Sequence, residues 1–412
     1  MSKQTLSVTR LNNFTACQRK HYYAHELGLR RIQQDFALRF GGAWHACLEA
    51  RWIGATYDAA LAAGFPADAQ WDEFTLATGA AMLAGYYRRW ENEIVASIRP
   101  EVEFTHPIAG SRSFESHGFI DGLGVLVDGR QAVVESKTTS EELGDDSGFW
   151  ERTKNNQQIM QYVLAARALG CDIRVVIYDV TRKPALKQSQ IPLLDDAGLK
   201  IVRNEIGVRV LLANGKPRQS ADKDAGQVLQ TRLETPDEYF TRLSEDIADA
   251  PEKYFQRREV EVLDDDLAEY EAQRLTIANQ IQTIRRTEKR CAKRHQAWPR
   301  NISTTGCKFC EFSSFCLQNL EVDPASPPAG FEIKSEPVAA QPELLPEWTA
   351  GLPKKVATII TAAGINSKEE LQAALTSGTV KPKFQPKYTN NMNIKLMEWV
   401  YINKPKTEGS FL

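Results

Sequence analysis

A hairpin decides the fold: it reads Gly118-Phe119-Ile120-Asp121-Gly122 on its first strand and Val133-Val134-Glu135-Ser136-Lys137 on its second. Asp128-Gly129 between the two strands is a typical hairpin-turn signal. Because side chains alternate between the two faces of a strand, Glu135 and Lys137 project to the same side. The turn brings the strands together, so we expect Asp121 to share a site with Glu135.

The hairpin is part of a longer series of predicted elements. Residues 101–108, 115–127 and 130–137 are rich in strand-forming residues and predict a three-stranded meander. A helix at 155–169, ended by Gly170, and a strand at 173–180 are predicted to follow. With a helical first hundred residues, the order is α-β-β-β-α-β.

Other elements are predicted from apolar spacing. Before the meander we expect helices near 7–23, capped by Ser7 or Thr9, near 41–52 and at 74–98. Beyond it we expect an edge strand at 188–193 and helices at 197–212, 235–247 and 264–294. The last helix ends in a basic run, which we interpret either as a solvated helix face or as a contact to a DNA backbone.

Asp121, Glu135 and Lys137 form the candidate catalytic set. Two carboxylates beside a lysine are costly in a sheet of valine and isoleucine unless a cation or substrate uses them. Carboxylate oxygens hold Mg²⁺ or Mn²⁺, which polarises a phosphate and lowers the pKa of a bound water. The backbone carbonyl of Ser136 is a further candidate ligand, and Lys137 would orient or deprotonate the water or offset transition-state charge.

Two points about this set stay open at the level of sequence. The spacing of Asp121, Glu135 and Lys137 also describes a surface ion-pair ladder on a half-exposed sheet. Glu101 or Glu103, on the preceding strand, could add an acidic group to the site, but nothing local selects one of them.

The cysteines indicate a second site. Cys307, Cys310 and Cys316 form a C-x2-C-x5-C cluster, which needs a fourth soft ligand, and Cys17 is the candidate. A shared metal would tie the beginning of the domain to its end. Spacing leaves zinc and an iron-sulfur cluster both open. We interpret the other three of the seven cysteines as structural or surface thiols: Cys47, Cys171 and Cys291.

Composition narrows the class of protein without deciding its partner. The chain has 412 residues and a formal net charge of -2, which permits a local basic groove but argues against a surface that wraps nucleic acid everywhere. No apolar run approaches the length of a membrane span. We therefore expect a cytoplasmic protein without membrane contact, in a bacterial or phage-infected cell.

The sequence predicts three parts. Residues 1–320 carry all of the motifs above, residues 321–346 are a Pro-rich linker, and residues 347–412 form a small helical module in which Asn366 or Ser367 caps a helix. The module weakly resembles helix-hairpin-helix modules. We expect it to bind DNA or a protein partner, or simply to pack.

The hairpin with its flanking helices and following strand resembles the core of the PD-(D/E)XK nuclease superfamily, specifically its RecB-like branch. The resemblance implies an α/β fold with a restriction-endonuclease-like core, in which helices flank a mixed central sheet. It implies that His45 is a metal ligand and that Gln158 and Tyr162, as the family's Q-x-x-x-Y element, support the site and the bound strand. Without the resemblance, His45 and Tyr162 would be interpreted as core residues and Gln158 as a surface residue.

The cysteine arrangement resembles the iron-sulfur members of that branch, such as AddB-type helicase-nuclease subunits and CRISPR-associated RecB-like exonucleases. This resemblance implies a [4Fe-4S] cluster on Cys17, Cys307, Cys310 and Cys316, whereas spacing alone leaves zinc as the alternative. The expected role of the metal is structural.

Together these features predict a Mg²⁺- or Mn²⁺-dependent deoxyribonuclease. We expect an exonuclease that acts on single-stranded or end-containing DNA in recombination, repair or phage DNA processing. The sequence has no G-x4-G-K-[ST] motif, so a helicase or recombination protein would be a separate partner. The alternatives are a non-catalytic DNA-binding or recombination scaffold that keeps the fold, and a zinc-stabilised interaction protein.

Overall fold

The computed structural model describes residues 3–33, 35–91, 95–153, 156–334 and 367–376. Its α-helices are α1 (Val8–Ala16), α2 (Gln18–His21), α3 (Phe36–Trp52), α4 (Tyr57–Gly64), α5 (Glu73–Arg89), α6 (Gly148–Thr153), α7 (Gln157–Ala168), α8 (Pro236–Asp249), α9 (Asp264–Glu288), α10 (Thr304–Lys308), α11 (Ser313–Cys316) and α12 (Lys368–Thr376). Its β-strands are β1 (Gln4–Thr5), β2 (Leu29–Arg31), β3 (Val95–Pro107), β4 (Phe114–Leu126), β5 (Gln131–Thr139), β6 (Ile173–Arg182), β7 (Gln190–Pro192), β8 (Val202–Arg203), β9 (Val228–Leu229), β10 (Thr231–Leu233), β11 (Phe255–Glu261) and β12 (Phe331–Ile333).

Local signals in the sequence set the boundaries of several of these elements. Ser7 caps α1, since its hydroxyl accepts a hydrogen bond from the Arg10 amide at 3.2 Å. Gly129 adopts φ 87° in the hairpin turn, and Gly170 adopts φ 89° after α7, where a side chain would be strained. These predicted caps and turns are confirmed.

The central sheet has six strands among the described residues, with the pairings β1-β4-β5-β6-β11. β3 pairs with β4 along one edge, and β1 and β5 pair with different parts of the opposite edge. β4 is antiparallel to β3 and β5, whereas β6 is parallel to β5. A parallel pair requires a crossover, and α7 supplies it. The sheet is therefore mixed, as predicted, although the sequence did not reveal its edge strand β11.

Helices cover both faces of this sheet. Val133 and Val176 point to one face, where they pack with residues of α7 and α9. Val134 and Ile177 point to the other face, where Trp52 of α3 packs on them. A further core joins α3, α4, α5 and α8. The predicted α/β architecture, a mixed sheet flanked by helices, is confirmed.

The predicted helix at 197–212 is wrong. Gly198, Gly207 and Gly215 adopt φ between 74° and 81°, and each donates its amide to the carbonyl three residues earlier at 2.8–2.9 Å. The segment is thus a series of tight turns, because glycines at regular intervals favour turns over a helix whatever the apolar spacing.

Two helix ends and the pairing of one strand also differ from the prediction. The helix predicted at 74–98 ends at Arg89, and Ile98 instead lies in β3, paired with Gly124. The helix predicted to reach residue 294 ends at Glu288. The strand predicted at 188–193 exists as β7, but it pairs with β10 in a separate two-stranded sheet.

Most of the predicted linker and C-terminal module, residues 335–366 and 377–412, lies outside the described residues. Within the predicted linker, β12 pairs with β2 and so attaches to the motif-bearing domain. Ser367 caps α12 as predicted, since its hydroxyl accepts from the Glu370 amide at 3.1 Å. The division into three parts stays a prediction. Among the helices in the described ranges, none has the length and apolar character to cross a membrane.

Candidate active site

The candidate site lies where β4 and β5 diverge. Their ladder ends at the pair Gly122–Val134, so Asp121 and Glu135 are the first residues beyond it. On the same edge of β4, β1 pairs with Phe114 and Glu115. In the described part of the chain, positions 116–121 therefore have no strand partner on this edge, and both carboxylates lie next to this unpaired stretch.

The Asp121 side chain accepts a hydrogen bond from β5 at the point where the β4–β5 ladder has ended. Its Oδ2 accepts a hydrogen bond from the Ser136 amide at 3.1 Å, which places the peptide groups of β5 against the site. The Asp121 side chain also lies 3.7 Å from His45, measured from Oδ2 to Nδ1. Since His45 belongs to α3, the helix before the sheet and the hairpin meet at this carboxylate.

Helix α7 contributes a chain of hydrogen bonds that ends at the same carboxylate. Lys137 donates from Nζ to Gln158 Oε1 at 2.9 Å, and Gln158 donates from Nε2 to the Tyr162 hydroxyl at 2.8 Å. The Tyr162 hydroxyl donates to Asp121 Oδ1 at 3.4 Å. Gln158 and Tyr162, four residues apart, thus lie on one helical face and connect Lys137 to Asp121.

Glu135 is the most enclosed of these groups, with 0% exposure. It forms an ion pair with Lys137, yet within the described ranges neither of its oxygens accepts a hydrogen bond of acceptable geometry. Burial raises the pKa of this carboxyl well above its ordinary value, and the charge of Asp121 adds to the shift while Lys137 opposes it. A buried pair of carboxylates, of which Glu135 is fully enclosed, does not fit a surface ion-pair ladder.

Glu101, rather than Glu103, adjoins this site. The register pairs Pro100 with Gly122 and Val102 with Ile120, which puts Glu101 across from Asp121. Burial raises the pKa of the Tyr162 hydroxyl, and nearby carboxylates that include Glu101 add to that shift. Glu103 lies instead 3.9 Å from His117.

The donor chemistry of the site fits a hard divalent cation. Two carboxylates, an imidazole and a peptide carbonyl are ligands that Mg²⁺ or Mn²⁺ accepts, and the single ammonium of Lys137 leaves buried Glu135 without a hydrogen bond of acceptable geometry among the described residues. As they stand, however, no three His, Cys, Asp or Glu side chains of the described residues converge closely enough to hold a metal. The roles of His45 and of the Ser136 carbonyl as ligands stay predictions.

The predicted cysteine site joins distant parts of the chain. Asn301 donates its amide to Cys17 Sγ at 3.4 Å, and Arg19 donates its side chain to the Trp298 carbonyl at 2.9 Å. Burial raises the pKa of the Cys310 and Cys316 thiols, and the charge of Cys17 adds to both shifts. The N-terminal cysteine therefore lies near the C-terminal cluster, although the thiols do not form a ready metal-binding group among the described residues.

Two arginines of the basic run at the end of α9 form ion pairs within the protein. Arg285 forms hydrogen-bonded ion pairs with Glu26 at 2.8 Å, and Arg294 pairs with Glu288. Arg285 thus joins the N-terminal segment to α9, whereas Arg294 pairs with the end of α9 itself, and for these two cations the structural interpretation is favoured over a contact to DNA.

Two groups that support the site were missed in the sequence. Asn156 caps α7, since its Oδ1 accepts from the Gln158 amide at 2.9 Å; an asparagine just before a helical run is the signal for it. Asp179 pairs with Ser136 in the β5–β6 register, and it forms a buried ion pair with Arg257 at 3.0 Å. This pair was not detectable, because Arg257 lies on the unpredicted strand β11.

A comparison with protein-family models agrees with this geometry. A family model for the PD-(D/E)XK nuclease superfamily matches residues 5–317, and the chain belongs to this superfamily. Its members are nucleases that hydrolyse phosphodiester bonds and typically use divalent metals. A solved structure described as that of SSO0001 is 14% identical, covers 78% of this chain and 89% of its own, and has a TM-score of 0.30. No curated protein gives a significant match.

Proposed function

We propose that the protein is a Mg²⁺- or Mn²⁺-dependent DNA nuclease, an exonuclease on single-stranded or end-containing DNA in recombination, repair or phage DNA processing. The observation that carries the proposal is Glu135. It is fully buried beside Asp121, its ion-pair partner is Lys137, and neither of its oxygens accepts a hydrogen bond of acceptable geometry among the described residues. Burying such a carboxylate is costly unless a bound cation or substrate compensates.

Each residue of the site has a role in this proposal. Asp121, Glu135 and His45 would hold the cation together with the Ser136 carbonyl. When bound, the cation polarises the phosphate and lowers the pKa of a water molecule. Lys137, kept in place by Glu135 and Gln158, orients the attacking water or offsets negative charge at the phosphate.

Gln158 and Tyr162 act as positioning residues. Their hydrogen bonds fix the distance between the ammonium of Lys137 and the carboxylate of Asp121. Because burial keeps the Tyr162 hydroxyl protonated, it stays a donor to Asp121 over the pH range in which such an enzyme works.

We further propose membership of the RecB-like branch and a [4Fe-4S] cluster on Cys17, Cys307, Cys310 and Cys316. The cluster would brace the fold, since contacts such as Arg19 to Trp298 already join the two segments. A helicase or recombination protein would act as a separate partner. Metal analysis of anaerobically purified protein tests the cluster: iron with sulfide supports it, and zinc without iron excludes it.

The nuclease proposal is tested on end-labelled single-stranded and duplex DNA with Mn²⁺. The wild-type protein should release short labelled products, and Lys137→Ala should lose that activity. Lys187→Ala, which alters an exposed lysine on the β7–β10 side of the molecule, is the matched control and should cleave normally. No cleavage by the wild-type protein would leave the non-catalytic scaffold as the better description.

A further inference from the structure

The helix that carries His45 contains two adjacent glycines, Gly41 and Gly42. They lie near the middle of α3, which runs from Phe36 to Trp52. Glycine is the poorest helix former after proline, because it loses the most backbone entropy and buries no side chain. A consecutive pair inside a helix therefore needs a reason.

Packing supplies that reason for other helical glycines of this chain but not for these two. A Cβ atom on Gly64 would lie 2.2 Å from the Ala43 carbonyl oxygen, and one on Gly79 would lie 2.5 Å from the Phe65 ring. In contrast, a Cβ atom on Gly41 would meet Thr138 Oγ1 at 3.4 Å, an ordinary contact, and one on Gly42 would meet nothing within 4 Å. The fold itself does not require a glycine at position 42.

Gly42 shares a helical face with Leu38 and His45, which are one turn before it and one turn after it. Leu38 is 71% exposed, and the His45 side chain is 34% exposed and points to Asp121. The face thus forms a bare strip of helix with an exposed leucine at its outer end and the candidate active site at its inner end.

A separate observation indicates that a ligand enters at the inner end. The Glu135 carboxylate is fully buried beside the unpaired stretch of β4, and apart from its ion pair with Lys137 neither oxygen accepts a well-oriented hydrogen bond from the described residues. Glycine is commonly used where a ligand backbone approaches the protein backbone closely. The strip at Gly42 is the surface that such a ligand would cross on its way to Asp121 and Glu135.

We propose that one DNA strand crosses α3 at Gly42, with its sugar-phosphate backbone against the bare helix surface and an unpaired base against Leu38. This inference rests on the proposed nuclease function. It adds the route of the DNA strand across α3 and selects the single-stranded form of the substrate. An apolar side chain gains from contact with the face of an unpaired base, which a duplex keeps stacked. The strip therefore favours a single strand.

The test measures binding of a fluorescent single-stranded oligonucleotide by anisotropy, with a chelator present so that no cleavage occurs. Gly42→Leu fills the strip and should weaken binding by about tenfold or more, and Leu38→Ala by roughly fivefold, the range expected for losing one base contact. Ala37→Leu places the same side chain at an exposed position on another side of α3, and it should bind like wild type. Thermal melting should show that Gly42→Leu is at least as stable as wild type, because leucine is the better helix former.

The outcomes separate this inference from the proposed function. Wild-type affinity in both Gly42→Leu and Leu38→Ala overturns the path, even if the wild-type protein cleaves DNA. Equal loss of affinity in Ala37→Leu overturns it as well, since the effect would not be specific to the strip. A wild-type protein that binds through the strip but never cleaves DNA would contradict the nuclease proposal alone. If duplex DNA shows the larger effect, the single-strand preference is wrong.

Discussion

The amide of Ser136 donates to the carboxylate of Asp121 at 3.1 Å, just beyond the last residue pair of the β4–β5 ladder. The Asp121 side chain on β4 thus gives the Ser136 amide of β5 an acceptor in place of the β4 backbone, which no longer pairs there. The substitution keeps the two strands together at their point of divergence and leaves Glu135 beside the unpaired stretch of β4. The site is consequently built into the sheet rather than onto a surface loop.

Removing the Tyr162 hydroxyl should weaken the site without dismantling it. Tyr162→Phe keeps the buried ring but breaks the link between Gln158 and Asp121, and the loss of one hydrogen bond predicts a roughly 3- to 10-fold lower kcat/KM. Tyr87→Phe removes a comparable hydroxyl, which donates to the Ala55 carbonyl at 2.8 Å, and should leave DNA cleavage unchanged. Equal activities of the two variants would contradict a positioning role for Tyr162.

Divalent metal should stabilise the protein through Glu135. A cation that binds only the folded state raises the free energy of unfolding, by about 2.7 kcal/mol at a hundred times its Kd. Thermal melting with increasing Mn²⁺ should therefore show a rising Tm for wild type and for Glu103→Gln, which alters an exposed carboxylate, but little rise for Glu135→Gln. A full rise in Glu135→Gln would show that the metal binds elsewhere.

Acid should destabilise the N-terminal segment through its buried histidines. Burial lowers the pKa of His21 to about 2 and that of His25 to about 3, whereas both titrate near 6.5 when unfolded. Their neutral forms are favoured in the fold, so this stability is complete above pH ~6.5 and is lost as the pH falls toward ~3.

Urea unfolding between about pH 6.5 and 5 measures this effect, because ordinary carboxylates stay ionised there. The free energy of unfolding should fall with decreasing pH, because each histidine contributes a slope approaching about 1.4 kcal/mol per pH unit, while Glu135, whose pKa is raised in the fold, contributes in the opposite direction. His25→Gln should show a smaller slope than wild type. An unchanged slope in that variant would refute the linkage.

The buried pair of Asp179 and Arg257 should matter more to stability than any surface pair. Arg257→Met leaves the buried Asp179 carboxylate without its cation, although the Tyr86 hydroxyl still donates to it, and should lower the free energy of unfolding by on the order of 3–5 kcal/mol. Arg130→Met breaks the exposed pair with Glu259 and should have a much smaller effect. Urea unfolding of both variants decides the comparison, and similar losses would argue against a special role for the buried pair.

The features that could be predicted are those whose residues lie close together along the sequence. Asp121, Glu135 and Lys137 were placed together because strand alternation and a tight turn act over about twenty residues. His45, Gln158 and Tyr162 needed a family resemblance, since nothing local distinguishes them from ordinary core or surface residues. The Asp179–Arg257 pair depends on a strand that joins the sheet from far along the chain. The helix wrongly predicted at 197–212 shows that apolar spacing fails where glycines repeat.

Glu135 is the residue on which the nuclease proposal depends, and the rate of labelled-nucleotide release from DNA by Glu135→Gln in Mn²⁺ is the measurement that decides it. The variant keeps the shape of the side chain but removes the charge that would hold the cation. We predict a rate lower than wild type on the order of 1000-fold, equivalent to about 4 kcal/mol in the activation barrier, with an unchanged circular dichroism spectrum. Cleavage by Glu135→Gln within a few-fold of wild type would contradict this assignment of the active site.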